Sequence, residues 1–201
     1  MNQYLIGGKT MQKPNNFENV QTGDFVPVEV GGHRMVIKAV EETTSKSGKP
    51  MLIVWFDFAQ EDKQPAYFSD QFNKDIRPDK KWPRGGTQYV VTVDGEGNCS
   101  RGFKTFISCV EKSNGSFLVN WCDGAQFAEQ FKGKRIGGVF GNVESEYNGE
   151  RRTRPELRWF CCDLDAPTAK VPADKLMQTP APVTTTYVSA QASEDVGELP
   201  F

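Results

Sequence analysis

The dipeptide Asn148-Gly149 limits what this chain can fold into more than any other pair in it. Both residues tolerate positive φ, which a two-residue hairpin turn needs, and β-type runs flank them: Ile136 to Tyr147 before, Glu150 to Cys162 after. A long antiparallel hairpin is the expectation. A second surrounds the polar, Gly-containing loop from Thr43 to Lys49. On its left Met35 to Glu41 is rich in β-branched residues. On its right Met51 to Ala59 alternates, with Leu52, Val54, Phe56 and Phe58 on one face and Ile53, Trp55 and Asp57 on the other. Gln88 to Asp94 supplies a further strand.

Helical spacing appears in two places. Phe103, Phe106, Ile107 and Val110 recur at i, i+3, i+4 and i+7, with Lys104, Glu111 and Lys112 outside and Asn114-Gly115 as a stop. A shorter helix fits near Gly124 to Lys132, where Phe127 and Phe131 lie one turn apart. About five strands and one or two short helices make a mainly β protein. The expected architecture is a five-stranded antiparallel OB-fold-like barrel, with an unrelated β-sandwich as the alternative.

Composition divides the chain. Residues 1–30 form an Asn-, Gln- and Gly-rich extension whose order the sequence leaves open, and 31–165 form the β domain. From Ala166 to Ser193 the chain turns Pro-, Ala- and Thr-rich with only Lys170, Asp174 and Lys175 charged, so a flexible linker is expected. Residues 194–201, Glu-Asp-Val-Gly-Glu-Leu-Pro-Phe, then place three acids before an apolar end.

Most catalytic chemistry is unsupported. Five cysteines (Cys99, Cys109, Cys122, Cys161 and Cys162) show no CxxC spacing, which argues against a disulfide framework or a zinc site. His33, the single histidine, has no evident nucleophile to activate, and is expected at the surface or satisfied at a strand edge. Phosphate-loop and dinucleotide glycine patterns are missing from the sequence. We expect no enzyme activity, cofactor or metal. The start, MNQYLIGGKTMQK, lacks the basic-then-apolar order of a signal peptide, and no apolar run approaches the roughly 20 residues of a membrane span. A cytoplasmic location without membrane contact is the expectation.

The net charge of −2, from 24 Lys and Arg against 26 Asp and Glu, conceals an uneven distribution. Lys74 to Arg84 and Lys132 to Arg158 each carry +3, and each holds or adjoins aromatics: Trp82 in the first, Tyr147 and Trp159 in or beside the second. Cations that neutralise phosphates, beside rings on which bases stack, suit single-stranded nucleic acid. The candidate DNA-binding residues are Arg34, Lys38, Lys46, Lys49, Trp55, Lys80, Lys81, Trp82, Arg84, Lys134, Arg135, Tyr147, Arg151, Arg152, Arg154 and Arg158. Competing structural readings stand beside them. A charge run such as Arg151 to Arg154 is often a solvated face, Trp55 either covers a second core layer or faces a ligand, and Tyr147 can pack cross-strand.

The stretch from Gly32 to Phe56 (GHRMVIKAVEETTSKSGKPMLIVWF) and FKGKRIGGVF from Phe131 to Phe140 resemble phage-encoded single-stranded DNA-binding proteins of Gram-positive hosts. The likeness covers roughly Gly31 to Asp165. The last residues are similar to the acidic tail of bacterial single-stranded DNA-binding proteins, which ends in acids followed by Ile-Pro-Phe; Asp195, Glu198, Leu199, Pro200 and Phe201 take those places. Leu199 replaces the Ile, and Gly197 interrupts the acids. The resemblance implies a protein that binds and protects single-stranded DNA during phage replication or recombination, and recruits replication and recombination proteins through its tail. Tetramerisation is not implied, and a homo-oligomer stays open. The alternative from another class is a protein-interaction adaptor of a phage replication module that does not itself touch DNA.

Overall fold

The Asn148-Gly149 turn forms with φ of 52° and 78°, the left-handed values that a two-residue hairpin demands. It joins β4 (Arg135–Tyr147) to β5 (Glu150–Cys161) in a computed structural model that describes residue 13 and residues 26–122 and 125–177. The other strands are β1 (Gly31–Thr44), β2 (Pro50–Phe58) and β3 (Thr87–Val91). All pair antiparallel in the order β3-β2-β1-β4-β5. β3 is shorter than the alternating residues suggested, because the chain turns away at Thr92.

The result is a mainly β protein built on one five-stranded sheet. Among the described residues no ladder joins β3 to β5, so the sheet stays open at that seam and the expected barrel is not closed by hydrogen bonds. Two features of the seam account for this. β3 has only five residues to offer, and on the other side Pro155 takes one N–H out of β5 while the register slips beside Arg158.

Alternation decides what is buried. Met35, Ile37, Leu52, Val54, Phe56, Phe58, Ile136 and Phe140 point inward and are almost wholly enclosed. Against them lies α2 (Arg101–Ser113), whose Phe103, Phe106, Ile107 and Val110 form the expected apolar stripe. Ser100 caps its start by accepting from the Phe103 N–H, and Asn114 clamps its end to β4 through bonds with the Arg135 N–H and carbonyl. The short helix is α3 (Ala125–Glu129).

An additional helix, α1 (Tyr67–Lys74), was not expected from spacing. Its first turn is held by Asp57 of β2, which accepts from the Phe68 and Ser69 N–H groups at 2.8 and 3.1 Å. That carboxylate lies ten or more residues away, so no local pattern announces it. His33 is satisfied, as one of its two expected placements had it, but inside the core and not at the surface. It is fully buried, stacked on Phe58 at 4.1 Å, and held between Asp62 Oδ1 and the Glu29 carbonyl at 2.9 Å each.

The first residues of the expected linker lie against the sheet. Ala166 is fully buried in a 3₁₀ turn (Ala166–Thr168), and residues up to Met177 follow β4. Lys175 exchanges backbone bonds with Asn142 and Glu144, and Glu144 accepts from the Met177 N–H. Two glycines permit the close approach: a Cβ at Gly32 would collide with the Ala166 carbonyl, and one at Gly141 with Pro172. Residues 178–193 of the linker, the 194–201 ending and nearly all of the N-terminal extension lie outside the described residues.

Candidate nucleic-acid interface

The outward face of β2 and β3 is where the candidate side chains meet. Trp55 stands opposite Thr87, and Ile53 opposite Tyr89, so the strand register alone puts an indole and a phenol on one surface. The loop before β3 then folds over the same face. Trp82 donates from Nε1 to the Gly86 carbonyl at 3.0 Å and packs 5.6 Å from the Phe72 ring, which fixes the turn that presents Arg84. Trp55, Lys81, Trp82, Arg84, Thr87 and Tyr89 together enclose a cleft of about 430 Å³. Neither Lys81 nor Arg84 has an acidic partner among the described residues, so both remain available to an anion.

Tyr89 is the hinge of a larger arrangement. It is 58% exposed and also walls two further clefts along the open seam. One, of about 210 Å³, brings Arg84 and Gln88 to Arg154 and Glu156. The other, of about 600 Å³, joins Tyr89 to Arg101, Arg158 and the half-exposed Trp159. The seam left open by the missing ladder is therefore lined with rings and guanidinium groups. Sequence reading missed Tyr89 and Arg101. Tyr89 was visible as an outward residue of its strand, whereas Arg101 reaches the seam only through the packing of α2.

Other candidates lie elsewhere, and their neighbours explain why. Lys80 sits over the Phe72 ring at 4.5 Å, and Lys134 over Phe117 at 4.3 Å. Arg135 is bound by Glu61 at 2.9 Å and by the buried Asp163 at 3.3 Å. Arg34 is half-buried at the Ala59 end of β1, its Nε enclosed without a hydrogen bond. Lys38 is exposed at the β1 bulge, and Lys46 and Lys49 occupy the β1–β2 turn beyond the Thr44–Pro50 pair.

The hairpin tip forms a separate unit. β1 stops pairing with β4 at Phe140, so beyond it Gly141 to Tyr147 and Glu150 to Glu156 pair with each other, with only Lys175 joining at Asn142 to Glu144. The tip carries Tyr147, Arg151, Arg152 and Arg154, but four glutamates accompany the three arginines. Arg152 contacts Glu150 at 2.6 Å and Arg154 approaches Glu156 at 3.8 Å. The +3 of the second basic segment thus dissolves in three dimensions: its excess comes from Lys132, Lys134, Arg135 and Arg158, which lie on different parts of the surface.

Neither a protein-family model nor a curated protein matches this chain. Its function therefore has to follow from the residues gathered at the seam.

Charges near the interface are set by their neighbours. Arg77, with two nitrogens on Asp75, holds that carboxyl down at about 2, so this cation of the first basic segment is already neutralised. Burial raises the Cys109 thiol to about 11 and the Cys161 thiol to about 12, so both stay protonated and unreactive. Among the described residues no group of three or more His, Cys, Asp or Glu is placed to hold a metal ion. No described helix is long and apolar enough to cross a membrane.

Proposed function

We propose that this protein binds single-stranded DNA without strong sequence preference, as a binding protein and not an enzyme. The observation that carries the reading is a run of three clefts sharing Tyr89, from the outward face of β2 and β3 to the β3–β5 seam, whose walls include Trp55, Trp82, Tyr89 and Trp159 and the cations Lys81, Arg84, Arg101, Arg154 and Arg158. Flat rings accept any base, and stacking is worth about 1–3 kcal/mol per base, while the cations track phosphates without reading sequence. The strand order, with α2 inserted between β3 and β4, supports the OB-fold reading: β3 and β5 are the edges that such a barrel would bring together. The resemblance to phage single-stranded DNA-binding proteins points the same way. On this reading the protein coats and protects single strands during phage replication or recombination in the host cytoplasm. The acidic ending, with Asp195, Glu198, Leu199, Pro200 and Phe201, recruits replication or recombination partners, and a tethered bait raises their local concentration.

The test is a fluorescence titration with poly-dT across a salt series. About five phosphate contacts give a log–log slope near −3.5 on a single strand. An absence of binding at low salt removes the proposal. A second reading, a protein-interaction adaptor, draws on a separate apolar groove of about 690 Å³ lined by Leu52, Phe103, Ile107, Trp121 and Phe127. It requires that changes at Trp121 or Phe127 lose a protein complex, and that Trp55 and Tyr89 variants leave DNA affinity untouched.

A further inference from the structure

The three clefts at the seam differ in kind, and the smallest is not merely a stacking surface. At about 210 Å³ it suits one nucleobase better than a run of them. Its walls hold hydrogen-bonding groups of both senses. Glu156 is half-exposed, and its nearest cation, Arg154, stays 3.8 Å away, too far for a hydrogen bond. Gln88 lines the cleft from the inner face of β3, since it pairs with the buried Val54 while Tyr89 faces outward. Tyr89 forms one flank, and Arg84 and Arg154 stand at the cleft with charge for a phosphate. A carboxylate inside a site for a polyanion opposes binding unless it meets a donor. Glu156 is paired with Arg154 only at 3.8 Å and accepts no hydrogen bond from the described residues, so its oxygens can still take one from a ligand.

We infer that this cleft reads one base, taking guanine in preference to thymine, with Glu156 as the residue that discriminates. The inference rests on the single-stranded DNA reading above. The Watson–Crick edge of an unpaired guanine offers N1–H and N2–H side by side, a match for the two carboxylate oxygens. Thymine sets one N–H between two carbonyls, and each carbonyl faces the carboxylate unfavourably. Adenine and cytosine offer a single amino group and rank between them. The other two clefts hold rings and cations but no carboxylate, so the preference is a bias on a sequence-tolerant site.

The experiment titrates the full chain with dT oligonucleotides and alternating dT-dG oligonucleotides of equal length, chosen because pure dG runs self-associate. A good bidentate carboxylate pair predicts roughly tenfold tighter binding of the dT-dG strand. Glu156→Gln keeps shape and removes the charge. It is expected to erase the ratio by weakening dT-dG and strengthening dT, with an unchanged thermal melt. A conservative Gln88→Glu change adds a second carboxylate and is expected to weaken dT further. Equal affinity of the two strands for the unaltered protein, or a ratio that survives Glu156→Gln, overturns the inference and leaves the DNA-binding reading in place. Failure to bind either strand at low salt overturns both.

Discussion

The outer face of the sheet has two halves with opposite fates. Over β1 and β4 the chain from Cys162 to Met177 lies directly on the strands, admitted by Gly32 and Gly141. Arg135 on that side is held by two acids, and its neighbour Val139 is fully buried. Over β2 and β3 only the loop that carries Lys81 to Arg84 folds onto the face among the described residues, and Trp55, Thr87 and Tyr89 point outward. The lesson concerns what a cation means. A cation on the covered half belongs to the fold, and on the proposed reading an unpartnered one beside exposed rings on the open half serves a ligand. The segment that covers β4 also protects a strand edge that β1 leaves bare past Phe140.

The comparison breaks most decisively at the rings. Replacing Trp55 and Tyr89 together with alanine is expected to weaken poly-dT binding by roughly 10² to 10⁴, since each stacked base contributes about 1–3 kcal/mol. Circular dichroism should show the fold retained, because Tyr89 is mostly exposed and Trp55 only half-buried. A double variant that binds poly-dT as the parent does would empty the open half of its assigned role.

Two arginines sharpen the contrast from both sides. Arg135→Ala leaves Asp163 buried without its cation, a loss of about 1–3 kcal/mol. For a chain of this size each kcal/mol lowers Tm by about 2–4 °C. DNA affinity should not change. Arg84→Ala should do the reverse, leaving the melt in place and making the salt slope shallower by about 0.7, one phosphate contact. If Arg135→Ala weakened DNA binding as Arg84→Ala does, the division between the halves would fail.

Much of the sheet was legible because its signals are local. The Asn148-Gly149 turn, the alternation of Met51 to Ala59 and the stripe of Phe103, Phe106, Ile107 and Val110 each depend on neighbours within about ten residues. The site was legible only in part. Trp55, Lys81, Trp82, Arg84, Arg154 and Arg158 do gather at the seam, but charge counted along the chain could not distinguish them from Lys80, Lys134 or Arg135. Those three face Phe72, Phe117, Glu61 and Asp163, and apart from Phe72, eight residues before Lys80, folding brings these partners from far along the sequence. Tyr89 was passed over for a simpler reason: it was read only as part of a strand, and its importance comes from the gap beside that strand. The packing of residues 166–177 was hidden because composition reports how much apolar surface a segment can bury, and this segment is held mainly by backbone bonds and glycine-permitted contact.

The smallest expected effect concerns the inner side of the covered half. Burial pushes the Asp62 carboxyl up, but the bond with His33 and the N–H groups of Gln64 and Arg34 outweigh it and hold the carboxyl below its ordinary value. A carboxyl depressed in the folded state binds protons more readily once unfolded. Its contribution to stability is therefore complete above the unfolded value near 3.8 and is lost as pH falls through the lower folded value. Asp62→Asn removes that contribution, so its melting temperature should fall below the parent's at pH 7, and the gap should narrow as pH drops below about 4. His33 faces oxygen acceptors on both ring nitrogens, so loss of the carboxylate also deprives a buried ring of one partner. Poly-dT affinity at pH 7 should stay as it was, since Asp62 lines none of the seam clefts. A gap independent of pH would mean that Asp62 acts through packing alone. A change in DNA affinity would mean that the covered half reaches the ligand after all.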